Sequence, residues 1–508
     1  MADHILQIVY PCLPESPFPA LDPDFDKPSY SSDAAGGGED RISALPDDLL
    51  RNIFSRLRVK DAGRAAATSP RWRDVWRSTP CALEDRHLIR RVDLEDGIDW
   101  SALAAAVSRV LVAHPGPFRW VHLTWNFMSS QEEALAKWLR LFAAKGVENL
   151  VLVNRPWPLD VALPASILRC SALRRLYIGV WHFPDTSRRT VPPRGPDVFP
   201  HLQELGICHT IMGERDLDYL LACSPQLKIL SFNVSYGFPS RLEISSRSLC
   251  CMLLWFSMAE ELAMVDTPRL QRLIIYTPGA GQTLRVKIGH APQLTVLGYL
   301  ETAAHVLEIG NTVITAGVPN VSPHTMVPSV KVLALKVNFA VTSEVKTMLR
   351  FLRCFPQVET LHVMMICQAE GRGGDKSDDS EEENKEENHD DNSDDSDEEN
   401  EEENHDGNSD DNDEENEEEN HDANTTAAAE ASAQLSKFWQ EVDPIECVEA
   451  HIKKDAPNAP ATVGKLQSLA STAKLAAERC ALEILARPRG SWTYRRASDL
   501  SVSDPFPG

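Results

Sequence analysis

Between residues 118 and 363 the apolar positions fall into a repeating six-residue window, apolar-x-x-apolar-x-apolar. The windows begin at Phe118, Val147, Leu173, Leu202, Leu227, Leu249, Leu270, Leu294, Val330 and Val358. Successive starts lie 29, 26, 29, 25, 22, 21, 24, 36 and 28 residues apart. Six windows have a proline two residues earlier (Pro200, Pro225, Pro268, Pro292, Pro328 and Pro356), which ends the preceding segment and leads into extended chain. Each window predicts a short strand with one face too apolar to stand alone. Stacked units bury that face against their neighbours and build a curved parallel sheet. Within one unit the alternation directs Leu227, Leu230 and Phe232 inward and leaves Lys228 and Ser231 to solvent. The 36-residue interval predicts a degenerate repeat near Val306-Leu307-Glu308-Ile309, or an insertion. An α/β domain whose parallel strands merely read alike is the competing arrangement.

Upstream the period changes from two to that of a helix. Leu49, Leu50, Ile53, Phe54 and Leu57 make a broad apolar stripe behind Pro46, which suits a helix start, and Asp47 and Asp48, which suit its positive end. A second short helix is predicted from about Lys60 to Ala67. A third opens at Ser69-Pro70, with Trp72, Val75 and Trp76 on one face. Some forty residues form a very small core, so part of this stripe is predicted either to await a partner helix or to pack on the next domain.

Composition shifts elsewhere divide the chain. Residues 1–38, rich in Pro, Ser, Asp and Gly, read as a flexible leader, 39–85 as the helical module and 86–117 as a connecting segment. The repeats occupy 118–368, a disordered acidic low-complexity linker 369–434, and a last globular segment 435–508. That last segment suggests further solenoid-like units, including a strand at Leu482–Leu485, capping the array.

The helical pattern has a recognisable likeness. Leu45-Pro46-x-x-Leu49-Leu50-x-x-Ile53-Phe54-x-x-Leu57, followed by Asp61 and then Trp72-Arg73 and Trp76, resembles an F-box. The resemblance implies a three-helix module that docks on a Skp-type adaptor and, through it, a cullin. Leu45, Pro46, Leu49, Leu50, Ile53, Phe54 and Leu57 match positions that contact or support the adaptor surface, and Trp72 and Trp76 match the helix that holds the module together. The run Ala65-Ala66-Ala67-Thr68-Ser69-Pro70 departs from the family, which often has a bulkier residue and a Cys there. The repeats resemble plant-type leucine-rich repeats, and the segment from Lys437 to Leu485 is similar to the FBD domain of plant F-box proteins. The fold class so implied is α/β: an N-terminal three-helix F-box, then an irregular leucine-rich-repeat solenoid with a parallel sheet, plus the disordered acidic linker.

Charge and chemistry narrow the function classes. The formal net charge is −24, yet residues 375–422 hold 28 Asp and Glu against two Lys, so the other 460 residues carry a net charge of only +2. Within that tract Glu-Asn-His-Asp recurs at 387, 403 and 419, a strict period of 16. So little apolar surface cannot offset chain entropy. Neither the balance of the remainder nor any motif predicts direct nucleic-acid binding. The eleven cysteines are scattered, with no C-x-x-C pair, as in a reducing compartment. No uninterrupted apolar run reaches the ~18 residues of a membrane span. These features predict an intracellular protein of the nucleus and/or cytoplasm.

Gly371-Arg-Gly-Gly-Asp-Lys376-Ser377 lacks the glycine that a phosphate loop needs directly before its lysine. G-x-S-x-G and H-E-x-x-H are both missing, so no catalytic, cofactor-binding or metal residue is predicted. His122, His182, His209 and His362 read as surface or satisfied residues. The expected function is that of a non-enzymatic recognition subunit of an SCF-type ubiquitin ligase: the F-box docks the adaptor and the repeats bind an unknown protein substrate. A scaffold that binds a partner through the repeats, outside ubiquitin chemistry, is the alternative.

Overall fold

The computed structural model describes residues 2–18, 41–89, 98–129, 131–155, 161–188, 194–235, 239–276, 283–310, 312–314, 326–338, 341–365, 481–485 and 493–506. The expected acidic linker at 369–434 and the segment 435–480 lie outside the described residues.

Ten of the twelve strands in the main sheet are the ten windows. They are β2 (Phe118–Leu123), β3 (Asn149–Val153), β4 (Arg175–Gly179), β5 (Glu204–Cys208), β6 (Ile229–Asn233), β8 (Cys251–Trp255), β10 (Arg272–Tyr276), β12 (Val296–Glu301), β15 (Val332–Val337) and β16 (Thr360–Met365). β1 (Cys81–Glu84) precedes β2, and β17 (Ala481–Leu485) follows β16 as the last strand of a wholly parallel ribbon. The window leucines at 173, 202, 227, 249, 270 and 294 are completely buried, and the apolar residues three and five positions later join them in one continuous core, except Tyr299, which packs on the opposite face of the sheet.

The layer behind the sheet changes along the array. In the first half it is helical: α5 (Trp100–Ala113), α6 (Glu132–Ala144), a 3₁₀ turn at Ala165–Arg169 and α7 (Glu214–Cys223). In the middle, β7 (Arg241–Ser245), β9 (Glu261–Asp266), β11 (Leu284–His290) and β13 (His305–Ile309) replace the helices with a second parallel sheet. Around β7, β9 and β11 the repeats are the short ones, and 21–24 residues leave too few for a helix between strands. β14 (Thr312–Ile314) closes this sheet antiparallel to β13. The stretch at Val306–Ile309 is therefore not a degenerate repeat of the main sheet but an outer strand, and the 36-residue interval is an insertion behind β12. A helix returns as α8 (Thr342–Cys354).

The turn after each of four strands is held by a main-chain hydrogen bond. Val180, His209, Val234 and Phe256 follow β4, β5, β6 and β8 in the left-handed region, with φ of 64°, 42°, 55° and 49°. Each donates its N–H to the carbonyl of the last residue of the neighbouring strand: Cys208, Asn233, Trp255 and Tyr276. These bonds of 2.6 to 3.0 Å carry the ladder around the turn and hold a backbone conformation that costs a non-glycine residue about 1 kcal/mol or more.

The helical module consists of α2 (Asp47–Phe54), α3 (Val59–Thr68) and α4 (Pro70–Ser78). Ser69 precedes α4 in extended conformation but its hydroxyl caps nothing, so Pro70 alone sets that start. The module packs on the array through Trp76, whose ring stands edge-on to His114 at 4.8 Å while its carbonyl meets His114 Nε2 at 3.0 Å.

Residues 2–18 and 493–506 both lie on the concave face of the sheet. Residues 2–18, expected to be part of a disordered leader, form α1 (Ala2–Val9) and a 3₁₀ turn at Tyr10–Cys12. Leu6, Val9, Cys12 and Leu13 are buried against the sheet there, and this apolar spacing overrides the proline-rich composition. At the other end α9 (Tyr494–Ser498) and the chain to Phe506 cover the middle and far strands.

Candidate docking and recognition surfaces

Two apolar surfaces could carry function. The first is the outer face of α2. The predicted stripe splits in two, because positions one apart on a helix point about 100° apart. Leu50 and Phe54 turn inward and, with Ala62, Ala66 and Val75, make the module's own small core. Half-buried Leu45, Leu57, Trp72 and Trp76 pack around it, and Phe54 meets Trp72 edge-on at 6.0 Å. Ala66 is itself buried in that core, so the alanine run leaves no gap between α3 and its neighbours. Leu49 and Ile53 turn outward and are 52% and 40% exposed, with Ile42 beside the helix start at 53%. Pro46 is exposed, and its carbonyl accepts the N–H groups of Leu49 and Leu50.

One residue outside the predicted stripe fixes this face. Arg71, on α4, donates to the carbonyls of Ser43 and Leu45 and, through Nε and Nη2, to Asp47 Oδ1 at 3.0 and 2.7 Å. One guanidinium thus ties the segment before α2 to α4. Its only sequence signal was an arginine one residue before Trp72, too common to single out.

The second surface is the concave face. Strand register places Val151, Tyr177, Gly206, Ser231, Leu253 and Ile274 in one row across it. The row has a notch: a Cβ on Gly206 would come within 2.2 Å of the Tyr177 ring, so only glycine lets that ring lie over β5. Beside the notch Ser231 is fully buried, contrary to the expectation that it faces solvent, because Tyr494 covers it. Lys228, just before β6, is exposed as expected.

The tyrosine hydroxyl of Tyr494 donates to Ser231 Oγ at 2.7 Å and lies 3.5 Å from the Tyr177 hydroxyl. Burial pushes the Tyr494 phenol well above its ordinary range. Arg272 Nη1 donates to the carbonyls of Ala497 and Asp499 at 3.3 and 2.7 Å, and Nη2 to that of Val502. His362 Nε2 pairs with Asp504 at 2.9 Å, and Phe506 packs on Tyr299 and His362.

Near the first strands a cavity of about 520 Å³ is lined by Tyr10, Glu84, Arg86, His87, His122 and Arg495, among others. His122 is buried with no hydrogen bond to either ring nitrogen among the described residues, and burial holds its pKa down at about 4. It is thus neither a surface residue nor a satisfied one. Burial and the Arg58 and Arg86 charges likewise hold His87 at about 4. Asp85 at the end of β1 accepts from the Thr124 and Trp125 amides and from Asn126 Nδ2, yet burial still pushes it up to about 6. Among the described residues no group of three His, Cys, Asp or Glu is placed to hold a metal ion, and no helix is long and apolar enough to cross a membrane.

Comparison with known proteins places both regions in described families. Residues 42–82 match the F-box domain, and residues 135–363 match the leucine-rich repeats of the FBD-associated F-box protein At5g56370. The chain is a plant F-box/leucine-rich-repeat protein. It is similar to F-box/FBD/LRR-repeat protein At1g13570 of Arabidopsis thaliana, 24% identical over 339 residues that span 65% of this chain and 76% of that protein. With F-box/LRR-repeat protein At3g26922 of the same plant the identity is 26% over 56% of this chain and 84% of the relative. A short stretch of 45 residues is 56% identical to FBD-associated F-box protein At5g18780, about a tenth of either chain.

Proposed function

We propose that this F-box/leucine-rich-repeat protein is a substrate-recognition subunit of an SCF-type cullin-RING ubiquitin ligase. The observation that carries the reading is the outward pair Leu49 and Ile53, apolar and bare on a helix whose other face already has a complete core. An apolar side chain left outside its own module's core is available to a partner's pocket, and such anchors dominate interface energies. Leu45, Pro46, Leu49 and Ile53 form the docking face for the Skp-type adaptor. Leu50, Phe54, Leu57, Trp72 and Trp76 support it from beneath. The array then holds a protein substrate, and the contribution to catalysis is proximity, a substrate lysine kept near a charged ubiquitin carrier that the ligase supplies. Buried, unpaired thiols such as Cys81, Cys170 and Cys208, pushed up to about 12, support a reducing setting, the nucleus and/or cytoplasm.

The test is reconstitution. Purified chain, Skp-type adaptor and cullin should co-elute as one complex with one copy of each. Elution of the chain apart from an adaptor–cullin pair at micromolar concentration would overturn the assignment and favour a scaffold working through the repeats alone.

A further inference from the structure

The segment 493–506 is held on the array differently from the repeats themselves. Among the described residues it adds no strand to either sheet. It attaches by anchors: Tyr494, Ala497 and Phe506 are buried, while Arg495, Arg496, Asp499 and Ser501 between them stay exposed. Arg272 reads main-chain carbonyls at 497, 499 and 502, contacts that any sequence of the same backbone shape would satisfy. Spaced anchors over a read backbone are how a receptor holds a peptide, not how a solenoid stacks its own repeats.

The face beneath is built for an occupant. Ser231 and the Tyr177 hydroxyl, whose ring lies over Gly206, receive one aromatic hydroxyl, and Leu253 and Ile274 continue an apolar row beside them. Solvated, such a row would be a large exposed apolar patch. The face must therefore be exchanged between covers rather than opened.

We propose that the concave face is a peptide groove and that the chain's own C-terminal segment is its resident competitor. The partner it takes is a protein segment of the same chemistry: a tyrosine for the Ser231–Tyr177 notch, a small residue three positions on, and a carboxylate two residues before an aromatic for His362 and Tyr299. This rests on the reading that the array holds a protein substrate. Substrate entry displaces residues 493–506, so recognition is autoinhibited. The intramolecular tether supplies an effective concentration of order millimolar, so only a segment that outcompetes it is captured.

The experiment uses the full chain with a protease site placed within residues 486–492 and cut after folding, so that every residue is retained. A fluorescent peptide of residues 493–506 should bind the cut chain saturably and the intact chain at least tenfold more weakly. The peptide carrying Tyr494→Ala should lose at least tenfold. An uncut chain carrying Tyr494→Ala and Phe506→Ala should gain peptide binding at least tenfold over the uncut parent. Failure of the peptide to bind both the cut chain and the double variant, or equal binding of the Tyr494→Ala peptide, would overturn the proposal. So would loss of the cooperative melting transition on cutting, because the segment would then be core. No adaptor is present in this assay, so its failure leaves the ligase reading to the reconstitution above.

Discussion

The F-box face and the concave face are both apolar, and the chain treats them in opposite ways. On α2, Leu49 and Ile53 stand bare although a complete small core lies directly beneath them. On the sheet, a longer apolar row is covered by the chain's own two ends. The size of the patch explains the difference. Two or three exposed side chains fall within what a soluble surface tolerates, whereas the row from Val151 to Ile274 does not. A small patch is left permanently ready for a common partner. A large one is kept covered, and its use is made conditional.

Several variants separate the two faces, and the largest effect comes from beneath the sheet. Leu230 is fully buried under β6. Leu230→Ala should destabilise the array by about 2–5 kcal/mol, read as a lower denaturant midpoint, because the removed atoms leave a cavity in a layer that cannot collapse. Adaptor binding by the surviving folded chain should be unchanged. A silent Leu230→Ala would mean that inward and outward positions are exchanged.

Acidification comes next and acts on the array alone. The folded-state pKa of His122, about 4, lies below the ordinary 6.5, so the unfolded chain takes up the proton first. Its stabilising contribution, of order 3 kcal/mol, is present above pH 6.5 and is lost as the pH falls through about 4. His305, held by burial at about 3, acts in the same sense. Asp85 opposes them: its carboxyl, raised to about 6, contributes stability below pH 3.8 that is lost as the pH rises through 6. The melting temperature should fall between pH 7 and 5, and His122→Leu should flatten that fall. An unchanged slope in the variant would contradict the burial of this ring.

Smaller effects sharpen the concave side. Tyr494→Phe keeps the ring and removes the hydroxyl between Ser231 and Tyr177, which should cost about 1 kcal/mol in thermal stability. A loss near zero would show that the hydroxyl is not seated in the notch. Lys228→Glu alters an exposed residue outside the core and should shift stability by less than about 0.5 kcal/mol. A larger shift would place Lys228 inside a contact that its exposure denies.

The strands were legible because each repeat announces itself twice, by a buried apolar residue before or at the start of the strand and by the apolar positions that follow it. Leu173, Leu202 and Leu227 stand where that signal put them. The outer sheet was not legible, since β7 and β11 alternate like any half-buried strand and nothing local says which sheet they join. In the F-box, composition showed one stripe on α2, and only the three-helix geometry divides Leu50 and Phe54 from Leu49 and Ile53. Ser231 was misplaced for a non-local reason. Its cover lies 263 residues away, and pairing at that distance leaves no periodic trace.

The central claim is that α2 presents its bare face to an adaptor, and affinity measured against purified Skp-type adaptor tests it most directly. Leu49→Glu with Ile53→Glu alters two exposed side chains, so the melting temperature should match the parent chain. The affinity for the adaptor should fall by at least about a hundredfold, the expectation for two central apolar anchors replaced by charges. Undiminished binding by a folded double variant would contradict the account.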